Sequence, residues 1–269
     1  MVLVSAFKDG SAALRANPTL LVAGLLVGAG GQLQYLGQVV DSPPVSAGAS
    51  LGWLVVFPFV LGGFIGTARG SIEGTDTSIH QFVTTARTHY VRLLVATVTF
   101  LLIILGTAIG VGTVGLVFGI GSMALAAINE TAAFVGGVAS LIVWLVSLLV
   151  VIMFVQFYDA AIVIEEQSVT GSFRRSIALV RANLTSVAGF SLVWTLLVNL
   201  FLIPEYLVQL TATDAAPAEV LPVDLGIPVA VLLPIGIGLS AVGFAYFYTV
   251  YTAYYLRLIS DSPLSADAA

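Results

Sequence analysis

Cysteine is absent from the 269 residues. Disulfides, thiolate nucleophiles and cysteine-based metal sites are therefore excluded. Charge is scarce: Asp, Glu, Lys and Arg make up 9% of the chain, against about a quarter in soluble domains. Basic residues number nine, all arginine except Lys8, and the net charge is −5. Without a basic stripe, the chain lacks the electrostatic footprint of a nucleic-acid binder. The two histidines, His80 and His89, stand nine positions apart. That is about two and a half helical turns, so they oppose each other and hold no metal together. No metalloprotease motif, nucleophile elbow or phosphate-binding loop occurs. The sequence thus calls for no catalytic set, no metal and no cofactor.

What is abundant is apolar surface. Hydrophobic residues make up 59% of the chain, and the mean hydropathy is +1.08. No soluble core hides that much, so lipid must solvate much of it. Apolar stretches at 18–40, 50–68, 93–128, 133–157, 187–208 and 228–257 read as six transmembrane helices. No soluble domain fits between them, and residues 1–269 read as a single all-α, polytopic integral membrane domain. The third stretch, at 36 residues, is long for one span, reaching roughly 54 Å. With Gly106, Gly110, Gly112, Gly115, Gly119 and Gly121 inside it, it reads as one bent span or as two.

Charge decides between these. With six spans, Lys8, Arg15, Arg69, Arg87, Arg92, Arg174, Arg175, Arg181 and Arg257 all fall on one side, which marks it as cytoplasmic. The opposite loops carry only acids: Asp41, Glu130, Glu205, Asp214, Glu219 and Asp224. Seven spans would put three arginines outside. The expectation is a multi-pass cell-membrane protein with both termini cytoplasmic. Asn129-Glu130-Thr131, in an outer turn, matches a glycosylation acceptor. The acidic, arginine-for-lysine composition is similar to that of membrane proteins of extreme halophiles.

Three segments before alternate spans resemble one another. Arg15-Ala16-Asn17 and Arg181-Ala182-Asn183 each lead into a Val-Ala-Gly, at Val22-Ala23-Gly24 and Val187-Ala188-Gly189. Ala86-Arg87-Thr88-His89 is a looser copy. Short amphipathic stripes precede each: Leu3, Phe7 and Leu14; Phe82, Ala86 and Tyr90; Phe173, Ile177, Val180 and Leu184. The pattern predicts approximate repeats over 1–70, 71–160 and 161–269, each an interfacial helix followed by a two-span hairpin.

Arg15, Arg87, Arg92, Arg174, Arg175 and Arg181 on those stretches are candidates for lipid headgroup contacts. Asp159 and Arg69, near the inner ends of their spans, form a candidate intramembrane ion pair. Gln32, Gln34, Gln38, Gln156 and Asn199 line a candidate polar cleft, or else bond between helices. Tyr246, Tyr248, Tyr251, Tyr254 and Tyr255 read as an inner aromatic belt. Gly24 with Gly28, Gly62 with Gly66, Gly106 with Gly110 and Gly115 with Gly119 have the spacing of close helix packing or self-association.

The segment Tyr158-Asp159-Ala160-Ala161-Ile162-Val163-Ile164-Glu165-Glu166, then Ser172-Phe173-Arg174-Arg175-Ser176, then Val180-Arg181-Ala182-Asn183 carries a resemblance. It is similar to uncharacterised multi-span proteins of haloarchaea and their bacterial relatives. Among these are the YciC-like proteins and the membrane domain of some glycerophosphodiester phosphodiesterases. The resemblance implies a six-helix membrane domain without assigned chemistry. In the phosphodiesterases catalysis belongs to a separate soluble barrel, for which this chain has no counterpart.

The functional expectation is a non-enzymatic membrane protein that organises lipids or partner proteins, with membrane lipids, another membrane protein or a second copy as partners. The alternative is a small-solute transporter or channel with a cavity between hairpin repeats. A lipid-modifying enzyme would need a catalytic set that the sequence does not supply.

Overall fold

A computed structural model describes residues 2–35, 42–75, 77–126, 129–212 and 229–261. Nine α-helices are found among them. They are α1 (Val2–Ala16), α2 (Thr19–Gly31), α3 (Pro43–Ile72), α4 (Ile79–Ala126), α5 (Glu130–Val155), α6 (Tyr158–Ile164), α7 (Val169–Ala182), α8 (Leu184–Ala212) and α9 (Val229–Ser260). A 3₁₀ turn, Gln32–Tyr35, follows α2. Among the described residues there is no β-strand. Five helices are long and apolar enough to cross a membrane, or six if α1 and α2, bent by 97°, make one broken span. The described residues are all-helical, with helices of the length and apolar character of a membrane-embedded protein.

Local chemistry sets the helix starts. Pro43 and Pro44 occupy the first turn of α3, where a missing N–H costs nothing, and Ser42 before them is extended. The side chain of Asn129, the residue of the glycosylation motif, accepts from Ala132 N at 3.1 Å and caps α5. Ser168 caps α7 in the same way.

Helix α4 runs unbroken for 48 residues, about 72 Å. Neither its glycines nor the loose second copy of the repeat interrupts it. The expected middle interfacial helix is therefore not a separate element; residues 79–90 are the first turns of α4. The two copies with asparagine do break. Asn17 lies between α1 and α2, where its Oδ1 accepts from Thr19 N and its amide bonds Thr77. Asn183 ends α7, its Nδ2 donating to Leu179 O at 3.1 Å. The asparagine competes for backbone groups and ends the helix. The middle copy has Thr88 and His89 there and continues.

Much of the apolar stripe of each short segment packs on protein, although Leu184 is exposed. Phe173 and Val180 of α7 are buried, and Phe173 stacks on Tyr158 at 5.2 Å. Phe82 and Ala86 are buried against Gly63 and Gly62 of α3. Helix α1 packs Ala6, Gly10 and Ala13 inward, with Gly10 against Val250. These helices are amphipathic because the helical bundle supplies the apolar partner.

Helix α9 is central, packing against α1, α2, α3 and α8. The approach of α2 is set by glycine. A Cβ on Gly24 would lie 2.4 Å from Ala241 O, and one on Gly28 2.7 Å from Ile237 O. Gly62 and Gly66 likewise seat Leu93 and Thr85 of α4. Gly106, Gly110, Gly115 and Gly119 face open space, with nothing within 4 Å. The intramolecular packing expected of all four pairs is made by the first two. Helices α4 and α5 form an antiparallel pair, pinned where Trp144 Nε1 donates to Ala108 O at 3.1 Å.

Candidate functional site

The chain breaks between α5 and α6, at Gln156 and Phe157. A break frees backbone groups that hydrocarbon cannot satisfy. Side chains from two other helices supply the missing partners. Ser176 Oγ of α7 donates to Phe154 O (2.8 Å) and accepts from Phe157 N (3.1 Å). Tyr251 of α9 donates to Gln156 O at 2.8 Å. The continuation, α6, is buried at all seven positions. The sequence places the end of the fourth span at 157 and a cytoplasmic segment at 158–185. Residues 158–164 are helical and belong to the buried core of the bundle.

Burying α6 buries Asp159, which is 3% exposed. Its Oδ1 accepts from Ala160 N (2.8 Å) and from the Tyr251 hydroxyl. Four residues along α9, Tyr255 donates to Glu165, which also receives Arg175 Nε at 2.9 Å. Two tyrosines on one face of α9 thus hold the two carboxylates at either end of α6.

The Asp159–Tyr251 pair forms the floor of a cavity of about 570 Å³ between α3, α4, α5, α8 and α9. Gln156 Nε2 donates to Ser191 Oγ across it at 2.9 Å, and Thr97 pairs with the Tyr158 hydroxyl at 3.3 Å. Above this polar floor the walls are apolar: Leu54, Phe57, Phe100 and Met153 among them. Leu101, Leu149 and Leu192 line the same cavity and are exposed on the surface of the bundle. A second cavity, of about 360 Å³, lies between α2, α8 and α9 and has Gln32 in its wall. Trp194 and Tyr248, edge to face at 5.7 Å, stand between the two.

The candidate ion pair is not formed. Arg69 binds Glu73 (2.9 Å) and Ile164 O (3.2 Å), while Asp159 takes its hydrogen bonds from Tyr251 and Ala160. Backbone and hydroxyl donors around Asp159 replace the arginine. The candidate polar cleft is divided: Gln156 lines the larger cavity and Gln32 the smaller. Asn199 lines neither of these two and donates to Thr195 O on its own helix. The Gln34 side chain and all of Gln38 lie outside the described residues.

The six headgroup arginines separate into two groups. Arg175 is bound to Glu165, and Arg92 donates to Glu166 O at 2.9 Å beside buried His89. Arg15, Arg87, Arg174 and Arg181 are exposed. The tyrosine belt is corrected too. Tyr251, Tyr254 and Tyr255 are buried, and Tyr254 stacks on Phe190 at 4.1 Å. Ser176, Trp194 and the hydroxyl of Tyr251 were not selected as site residues by the sequence. Their part depends on where α7, α8 and α9 meet the break, which leaves no local signal.

No curated protein and no solved structure matches the chain. A family model does, over residues 1–258, nearly the whole length. The chain belongs to the family described as Domain of unknown function (DUF7847).

Proposed function

We propose that this is a non-enzymatic integral membrane protein that binds an amphiphilic, lipid-type molecule between its helices and in that way organises the surrounding lipid. The single observation that carries the reading is the larger cavity. Its lining is mainly apolar, holds a hydrogen-bonded polar group of Asp159, Tyr251, Gln156 and Ser191, and includes exposed leucines of α4, α5 and α8. Such a lining matches a molecule with a polar head and a hydrocarbon tail that enters sideways from the bilayer.

In this reading the chain crosses the membrane six times as three hairpins, with both termini cytoplasmic, as the placement of its nine basic residues implies. The exposed Arg15, Arg87, Arg174 and Arg181 then meet lipid phosphates at the inner surface. The transporter alternative needs a continuous polar route. The wall of Trp194 and Tyr248 between the two cavities argues against one.

Native mass spectrometry of the full chain, gently released from its own membrane, tests this. A stoichiometric lipid-sized adduct is expected. A bare chain that moves solutes across liposomes would replace this reading with the transporter.

A further inference from the structure

We propose that the head of the bound amphiphile is a cation, an ammonium or quaternary ammonium group, recognised by Asp159 within a ring of aromatic side chains. The inference rests on the amphiphile-binding reading and specifies its ligand.

Among the described residues, Asp159 is the only acid in the lining of the larger cavity, and no Lys, Arg or His lines it. Among the described residues no basic side chain lies within ion-pair distance of it. The other described carboxylates that lie within the bundle have partners. Glu165 has Arg175, and Asp9 has Arg257.

The donors around Asp159 are all neutral. Its hydrogen bonds come from the Tyr251 hydroxyl, Ala160 N and its own backbone N–H, none of them from a charged group. The one hydroxyl proton of Tyr251 is shared with Gln156 O. A carboxylate in an apolar site calls for a positive partner.

The walls supply the rest. Phe57, Phe100, Tyr158, Trp194, Tyr248 and Tyr251 line the same cavity. Aromatic faces attract cations, and quaternary ammonium groups above all, because desolvating them costs little. An anionic head, phosphate or carboxylate, would meet a like charge and no basic residue. The surface arginines that suit phosphate lie elsewhere.

The test uses the full-length protein in uncharged maltoside micelles, with octyltrimethylammonium as probe and octanol and octanoate as uncharged and anionic controls. Binding is read by equilibrium dialysis. The wild type should retain octyltrimethylammonium at one per chain and prefer it to both controls. Asp159→Asn should weaken it by about tenfold or more. Trp194→Leu, which keeps the charge and removes one ring, should weaken it several-fold. That variant keeps the test open if Asp159→Asn does not fold.

Equal retention of octanol and octyltrimethylammonium, undiminished by either substitution, would overturn the cationic head and leave the amphiphile reading standing. If no probe binds and the native protein carries no lipid adduct, both fall.

Discussion

The Tyr251 hydroxyl joins the Asp159 carboxylate to the carbonyl of Gln156, so one side chain of α9 serves both the buried acid and the broken backbone beside it. Tyr251→Phe leaves the ring stacked on Phe157 at 5.6 Å and removes only the donor. Two buried acceptors then lose a partner, at a cost of about 1–3 kcal/mol. Thermal unfolding in detergent should show a lowered midpoint. An unchanged midpoint would mean that the hydroxyl carries no structural role.

Ser176 gives a parallel case on the other side of the break. Its hydroxyl both donates to Phe154 O and accepts from Phe157 N. Ser176→Ala should lower the unfolding midpoint, by about 1–3 kcal/mol in stability. Ser147→Ala, at a partly exposed position that bonds its own helix at Val143 O, should leave it unchanged.

The glycines predict opposite responses to one substitution. Gly24→Ala drives a Cβ into the backbone of α9 at Ala241, so α2 must move away and stability falls. Gly115→Ala meets open space and gains helix propensity, up to about 1 kcal/mol. Unfolding midpoints of the two variants should move in opposite directions. If both fall equally, the α2–α9 approach is wrong.

The arginines divide in the same manner. Arg175 and Glu165 are only 19% and 20% exposed, so Arg175→Ala leaves a half-buried acid with Tyr255 alone and lowers stability. Arg174→Ala and Arg181→Ala should change stability by less than about 0.5 kcal/mol. They should instead weaken retention of anionic lipid, measured by co-sedimentation with vesicles containing phosphatidylglycerol. Equal stability losses at all three positions would contradict the division.

Hydropathy makes the long helices legible because each must cover the hydrocarbon core with its own residues. The helix expected at 50–68 begins earlier, at Pro43, where the two prolines fit its first turn, and the two asparagine breaks also have local causes. The continuity of α4 was harder to read. Its glycines resemble a break, yet a helix in lipid keeps its backbone bonds whatever its side chains. The burial of α6 was illegible. Asp159 beside Glu165 and Glu166 has the look of a span end, and the hydrogen-bond partners that make the burial of this stretch tolerable come from residues about 20 and 90 positions away. The tyrosines before Arg257 read as anchors for the same reason, because a belt and a buried ring cluster have one composition and differ only in neighbours.

A crystal structure grown in the native lipid tests the central claim most directly. The account predicts elongated density in the larger cavity, its head against Asp159 and Tyr251 and its tail leaving past Leu101, Leu149 and Leu192. Ala188→Trp, which adds bulk to that lining, should abolish the density with the fold intact. A water-filled passage joining both cavities through the Trp194–Tyr248 wall would contradict the account.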